Sequence, residues 1–196
     1  HINQKYLPDI ILSERITATA ELKAALTGAT WIFCAIPSAH LRSVLRDVMR
    51  KSYDAVSARW ILMTKGIEQQ THLLPSQVLI NVAEKAVAHA VLAGPNFAAE
   101  LVQRVPTATV IASINQSLLK DLSALLSNHY FKVFFSEDLF GVQACGALKN
   151  VIALFVGIAA GAGYKHENTK AYLLTQGFAE LAQLTVALGG EKETVY

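Results

Sequence analysis

Hydrophobic residues along the first two thirds of the chain alternate between the spacing of strands and the spacing of helices. The predicted strands are continuous apolar runs over residues 31–36, 60–64, 90–93, 109–112 and 131–135. Helical spacing lies between them, over residues 38–50, 75–87, 97–102 and 116–127. Strands that are apolar throughout are typical of a parallel sheet covered by helices on both faces. The pattern therefore predicts an α/β fold built on a parallel sheet.

The pattern changes after Asp138, where no further strand is predicted. Long apolar helices are predicted over residues 139–162 and 171–188, so we place a domain boundary near residue 137. The longest apolar run, residues 151–164, has fourteen residues. A membrane-spanning helix needs about twenty. We therefore expect this run to form a helix buried inside the protein.

Composition narrows the classes of function. Of the 196 residues, 53% are hydrophobic and 16% are charged, which excludes a disordered chain. The net charge of +2 gives no reason to expect a nucleic acid or a membrane surface as partner. Cys34 and Cys145 are expected to be buried free thiols. The six histidines do not have the spacing of metal ligands, so we assign no metal.

Lys149 is the strongest candidate for chemistry, because apolar or small residues flank it for many positions. Desolvation of a lysine favours its neutral amine, which can accept or return a proton. The alternative, with about even odds from composition, is a lysine that extends out from a helix into solvent. The neighbouring Asn150 favours the functional interpretation slightly, since a buried amide needs a partner.

Parallel sheets bind their ligands at the carboxyl ends of strands, so the turns there are the other candidates. Lys65 follows a strand directly and could face an anionic ligand, although an ordinary exposed turn lysine is the better interpretation without other evidence. Gly94 allows a ligand to approach the backbone closely, and Asn96 offers a polar side chain. The alternative for this turn is a well-capped helix and nothing more.

Seven short motifs occur in one order that resembles a known family. They are YLPD at residues 6–9, IPS at 36–38, KGIE at 65–68, GPNFAAE at 94–100, VPTA at 105–108, GVQ at 141–143 and GALKNVIA at 146–153. Together they resemble the NAD(P)-dependent glycerol-3-phosphate dehydrogenases of the bacterial type. The resemblance implies an incomplete dinucleotide-binding Rossmann-like domain over residues 1–137 and an incomplete helical substrate domain over residues 138–196.

The resemblance also implies a reaction. Family members interconvert sn-glycerol 3-phosphate and dihydroxyacetone phosphate with NAD or NADP, which supplies glycerophospholipid synthesis. We accordingly expect a cytoplasmic enzyme and a possible homodimer. By the matching motifs, Lys149 is the catalytic proton acceptor. The implied substrate-binding residues are Lys65, Gly94, Asn96, Lys149 and Asn150, and the implied cofactor-binding residues are Lys65, Ala98 and Tyr6.

The chain departs from the family pattern in several places. The glycine-rich fingerprint and the residues that hold the substrate phosphate are expected to lie outside the 196 residues, so this chain alone is expected to be inactive. Gln176 stands where many members have arginine, and Asn96 where many bacterial members have serine or threonine. Two alternatives stay open: another two-domain dehydrogenase of the ketopantoate or 6-phosphogluconate type, and a fragment without catalytic activity.

Overall fold

The central element of the fold is a five-stranded sheet. In the computed structural model, which describes residues 2–52 and 54–196, the strands are paired in the order in which they occur along the chain. They are β3 (Trp31–Cys34), β4 (Arg59–Leu62), β5 (His89–Ala93), β6 (Thr107–Ala112) and β7 (Phe131–Ser136), while β1 (Ile2–Asn3) and β2 (Leu7–Ile11) form a separate antiparallel hairpin. Apolar side chains of β4 and β5 are buried, as continuous apolar strands predict.

Helices cover both faces of the sheet, and the predicted α/β class is confirmed. The helices in this part of the chain are α1 (Leu22–Leu26), α2 (Ser38–Lys51), α3 (Asp54–Ser57), α4 (Pro75–Ala83), α5 (Ala98–Leu101) and α6 (Gln116–Leu126). One core lies between the sheet and α2 and α4, and the second lies between the sheet and α6. Helix α4 is shorter than predicted, because Glu84 has left-handed backbone geometry with φ of 55°.

One pair of strands runs against the predicted parallel direction. Strands β3, β4 and β5 are mutually parallel and so are β6 and β7, but β5 and β6 are antiparallel, with Ala93 opposite Val110. A parallel return needs a crossover that carries the chain back along the sheet, usually on a helix. The connection over residues 94–106 contains only the four-residue α5, so β6 starts at the edge where β5 ends.

The chain continues after the sheet as helices only. Helix α7 (Leu139–Gly161), helix α8 (Glu167–Ala187) and the 3-10 helix Lys192–Val195 follow β7. Asp138 begins α7: its Oδ1 accepts a hydrogen bond from the backbone N of Gly141 at 2.7 Å. Its Oδ2 accepts from the backbone N of Glu191 at 2.7 Å and from the Thr194 hydroxyl at 2.6 Å. This buried carboxylate therefore joins the start of α7 to the end of the chain.

The expectation that residues 151–164 are buried inside the protein is wrong for this chain. The side chains of Val151, Leu154 and Ile158 are between 61% and 68% exposed. Helix α8 packs on α7 along one side, and one neighbouring helix covers only one stripe of a helix surface. Helix α7 is long and apolar enough to cross a membrane, a property that it shares with core helices of soluble proteins.

Candidate active site

The turn after β4, which contains Lys65, packs against the end of β3 and the start of α2. The Thr64 hydroxyl donates to the backbone O of Ile36 at 2.7 Å. Gly66 has φ of 130°, a region that favours glycine, and a Cβ there would lie 2.7 Å from Oγ of Ser38. The turn is therefore fixed at the carboxyl ends of β3 and β4, where candidate chemistry was predicted.

A bidentate ion pair restrains the segment that follows Lys65. The Arg42 guanidinium on α2 donates from Nε to Glu68 Oε1 at 2.8 Å and from Nη2 to Oε2 at 2.7 Å. Both side chains are less than one fifth exposed. The pair raises the pKa of Arg42 and lowers the pKa of Glu68, chiefly through these hydrogen bonds. Because Glu68 lies three residues after Lys65, the pair restrains the backbone on which Lys65 stands.

The turn after β5 contains Gly94 and Asn96. A Cβ at Gly94 would approach Thr109 Oγ1 and the backbone O of Ala108 to 3.0 and 3.1 Å, so glycine lets β6 pass close to this turn. Asn96 donates from Nδ2 to Thr109 Oγ1 at 3.1 Å. Its Oδ1 is buried and accepts no hydrogen bond within the part of the chain that the structure describes. The turn thus presents a carbonyl, that of Gly94, and an amide oxygen without a donor.

Helix α7 brings Lys149 to the same place. Gly146 lies beside the end of β5, since a Cβ at Gly146 would be 3.8 Å from the Cβ of Ala93. Lys149 follows three residues later, so it lies on the same side of the helix. Gln143 fastens α7 to α4: its Oε1 accepts from the backbone N of Ser76 at 2.9 Å, and its Nε2 donates to the Ser76 hydroxyl at 2.8 Å.

Both lysines meet at one backbone oxygen. Lys65 Nζ donates to the O of Gly94 at 3.1 Å, and Lys149 Nζ donates to the same atom at 3.5 Å. Partial burial, followed by the positive charge and contact of Lys149, lowers the pKa of Lys65. Lys149 itself is half-buried, and Lys65 is exposed along much of its length. Lys65 and Lys149 therefore share one neutral acceptor.

The remaining predicted site residues lie further from this centre or face solvent. Asn150 follows Lys149 on α7 and is exposed, and Ala98 is the exposed first residue of α5. Tyr6 is 70% exposed in the turn of the β1–β2 hairpin, where Lys5 lies over its ring at 5.0 Å. Gln176 is exposed on α8, beside the apolar groove between α7 and α8. The roles assigned to Asn150, Ala98 and Tyr6 stay predictions, and Gln176 was assigned no role.

Sequence reasoning did not select Thr109. The residue is buried, and its hydroxyl both donates to the backbone O of Ala93 at 3.0 Å and accepts from Asn96. The signal in the sequence is weak: Thr109 begins the predicted apolar strand 109–112, and Thr107 on the same observed strand is a second hydroxyl residue. That signal gains meaning only from the antiparallel pairing of β5 and β6, which the hydrophobic pattern does not encode.

The two thiols differ in burial. Cys34 is buried in β3, as predicted, whereas Cys145 is half-buried next to the Thr185 hydroxyl. Burial raises the pKa of both thiols, which disfavours the reactive thiolate.

Comparison with known proteins identifies the family of the chain. The family model described as the N-terminus of NAD-dependent glycerol-3-phosphate dehydrogenase matches residues 1–119, and the model of the C-terminus matches residues 138–196. The chain belongs to the NAD-dependent glycerol-3-phosphate dehydrogenase family. Membership decides against the alternative of a ketopantoate or 6-phosphogluconate type of enzyme.

Individual family members show how much of the length is shared. Glycerol-3-phosphate dehydrogenase [NAD(P)+] of Corynebacterium glutamicum is 40% identical over 195 residues, which is 99% of this chain and 58% of that protein. The corresponding protein of Thermobifida fusca is 40% identical over 196 residues, 100% of this chain and 57% of its own length. The chain therefore spans less than two thirds of the curated relatives it matches.

Solved structures of the family have the same fold. The glycerol-3-phosphate dehydrogenase of Coxiella burnetii superposes with a TM-score of 0.92 at 32% identity and covers 99% of this chain and 58% of that one. The enzyme of Saccharomyces cerevisiae superposes with a TM-score of 0.84 at 27% identity, with 100% and 58% covered. The chain thus has the fold of this part of the glycerol-3-phosphate dehydrogenases.

Proposed function

We propose that this chain carries the proton-transfer part of an enzyme that interconverts sn-glycerol 3-phosphate and dihydroxyacetone phosphate with NAD(P) and NAD(P)H. The observation that supports this most is the convergence of Lys65 and Lys149 on the carbonyl of Gly94. Family membership supports the reaction class. We further propose that residues 1–137 form the dinucleotide-binding part and residues 138–196 the start of a helical substrate domain.

Lys149 is proposed to handle the proton of the substrate hydroxyl at C2. In the oxidation direction its neutral amine accepts the O–H proton while the hydrogen on C2 leaves with its electron pair, and in reduction its ammonium returns the proton. The nicotinamide ring supplies the hydride acceptor or donor when it is bound.

Lys65 is proposed to supply positive charge rather than to move the proton. In a partly closed site an ammonium stabilises the oxygen on which negative charge develops as the hydroxyl proton leaves. Gly94, Asn96 and Asn150 are proposed to contact substrate. Lys65, Ala98 and Tyr6 are proposed to contact NAD or NADP.

The residues of the site fit such ligands. The positive charge proposed for Lys65 favours an anionic ligand such as a phosphate ester. The free acceptor of Asn96 suits a hydroxyl or amide donor. We also propose that the whole protein is cytoplasmic, supplies glycerophospholipid synthesis and can form a homodimer, as expected for this family.

Substitution of Lys149 tests the proposed function. In the full-length protein we expect Lys149→Ala to lower kcat for dihydroxyacetone phosphate reduction by about 10²–10⁴-fold, the usual contribution of a general acid. Lys149→Arg is not expected to rescue activity, because a guanidinium does not release its proton near neutral pH. The measurement is the loss of NADH or NADPH absorbance.

Lys120→Ala is the matched control, since Lys120 is exposed on α6 away from the site, and it should retain wild-type kcat. Reduction of ketopantoate without reduction of dihydroxyacetone phosphate would contradict the proposal. Titration of the 196-residue chain with NADH and NADPH tests whether it binds cofactor by itself, and no turnover by this chain is expected.

A further inference from the structure

The amide of Asn96 is held in one orientation by Thr109. The Thr109 hydroxyl has one proton, and it donates that proton to the backbone O of Ala93 at 3.0 Å. Toward Asn96 the hydroxyl oxygen can therefore only accept. As long as the hydroxyl keeps its bond to Ala93, Nδ2 of the amide faces Thr109, at 3.1 Å, because the opposite orientation would require the hydroxyl to donate to Oδ1 instead. The network thus decides which end of the amide is left free.

The free end is an acceptor in a buried position. Oδ1 of Asn96 is removed from solvent and accepts no hydrogen bond in residues 2–52 and 54–196. Buried acceptors without a donor cost free energy, and in native proteins they are satisfied by water, an ion or a ligand. The atom lies two residues from Gly94, whose carbonyl both lysines contact. A donor brought by a ligand of that site would satisfy this acceptor.

We propose that Thr109 is a positioning residue that orients the Asn96 amide so that Oδ1 accepts a hydrogen bond from an O–H or N–H group of the ligand. This inference rests on the proposed function, and it predicts which end of the ligand faces Asn96. A phosphate dianion offers no donor and cannot satisfy Oδ1. The hydroxyl end of the substrate, or the carboxamide of the cofactor, therefore faces Asn96, and the phosphate faces elsewhere.

The antiparallel pairing of β5 and β6 makes this arrangement possible. The register that sets Ala93 opposite Val110 sets Thr109 beside Gly94, at the carboxyl end of β5. If β6 ran parallel to β5, its beginning would lie at the other edge of the sheet. Thr109 would then be remote from Asn96. The departure from the predicted parallel sheet is thus what brings the positioning hydroxyl to the site.

Variants of Thr109 and of a neighbouring threonine in the full-length protein test the proposal. Thr109→Val keeps the shape but removes the hydroxyl, and we expect it to lower kcat/KM about ten-fold, as the loss of one oriented hydrogen bond predicts. Thr109→Ser restores the hydroxyl and should recover most of that loss. Thr107→Val is the matched control, because Thr107 lies on the same strand and its hydroxyl donates only to the nearby backbone O of Val105. It should keep the wild-type kcat/KM.

A double-mutant cycle with Asn96→Ala separates positioning from general damage. If Thr109 acts through the amide, Thr109→Val should change kcat/KM less than about two-fold once Asn96 is alanine. A ten-fold loss that persists in the Asn96→Ala background would overturn the proposal, because it would show that the hydroxyl acts through the strand. No loss in the Thr109→Val single variant would overturn it as well.

The two sources of the donor give different results. A rise in KM confined to dihydroxyacetone phosphate assigns the donor to a substrate hydroxyl, and a rise confined to NADH or NADPH assigns it to the cofactor carboxamide. A wild-type protein that does not reduce dihydroxyacetone phosphate refutes the proposed function. In that case NMR of the ligand-free protein tests the amide orientation separately. The proposed orientation predicts close contact between the Asn96 NH2 protons and Thr109. Absence of this contact overturns the inference.

Discussion

At the scale of single residues, the lowered pKa of Lys65 gives a pH dependence of stability. Between the lowered value and the ordinary 10.5, the folded protein binds fewer protons than the unfolded chain. The free energy of unfolding therefore rises with pH across this window, and the gain is lost as pH falls back through it. We expect Lys65→Met to remove this part of the rise, and Lys149→Met to reduce it, because the charge of Lys149 is the second cause of the lowered pKa.

Urea unfolding from neutral pH to about pH 10.5 measures this slope for wild type and variants. Lys120→Met, on the exposed face of α6, should keep the wild-type slope. A Lys65→Met protein whose stability has the wild-type pH dependence would show that Lys65 does not cause the rise.

The two lysines were predictable from the sequence, but their relation was not. The apolar surroundings of Lys149 predicted proton chemistry, and the position of Lys65 after a strand placed it at the ligand edge of the sheet. Their meeting on the Gly94 carbonyl, at 3.5 and 3.1 Å, depends on how α7 crosses the end of β5. A sequence pattern contains no such distance. For the same reason the lowered pKa of Lys65 could not be predicted.

At the scale of elements, most helices and sheet strands were predictable, because their apolar spacing is regular. The direction of a strand was not predictable, because an apolar run has the same pattern in a parallel and in an antiparallel strand. The short connection of residues 94–106 decides the direction of β6. The β1–β2 hairpin and α1 were also missed. Their residues are mostly exposed, so they show little hydrophobic periodicity.

The contact between α7 and α8 depends on a glycine. A Cβ at Gly177 would lie 2.7 Å from Cγ2 of Ile152, so Gly177→Ala should lower the free energy of unfolding by about 1–3 kcal/mol through overpacking. Gly157 is the matched control within α7, where a Cβ meets nothing within 4 Å. Gly157→Ala should instead raise stability by roughly 0.5–1 kcal/mol, because alanine favours the helix.

Urea unfolding of the two variants checks this pair of effects. Equal stability changes at the two positions would mean that helix propensity, rather than the fit between α7 and α8, controls the result.

At the scale of the whole molecule, the apolar face of α7 lacks a cover within the described chain. Composition indicated the apolar run correctly, but burial depends on what packs against it. Leu154, Phe155 and Ile158 are 67%, 56% and 68% exposed. Contiguous apolar surface of this kind promotes association.

We therefore expect the 196-residue chain by itself to self-associate and to bind a hydrophobic dye. Leu154→Lys together with Ile158→Lys should reduce both effects. Sedimentation velocity and dye fluorescence measure them, and Lys120→Ala should behave as wild type. A wild-type chain that stays monomeric at high concentration and binds no dye would contradict the expectation.

The order of the strands has a consequence for how the molecule forms. Because neighbours in the sheet are also neighbours along the chain, each strand emerging from the ribosome can pair with the strand synthesised just before it. These five strands can therefore pair one after another without waiting for distant segments of the described chain. The paired ammonium groups come last, since Lys149 follows Gly94 by 55 residues. A nascent chain thus has this sheet before it acquires Lys149, the residue proposed to move the proton.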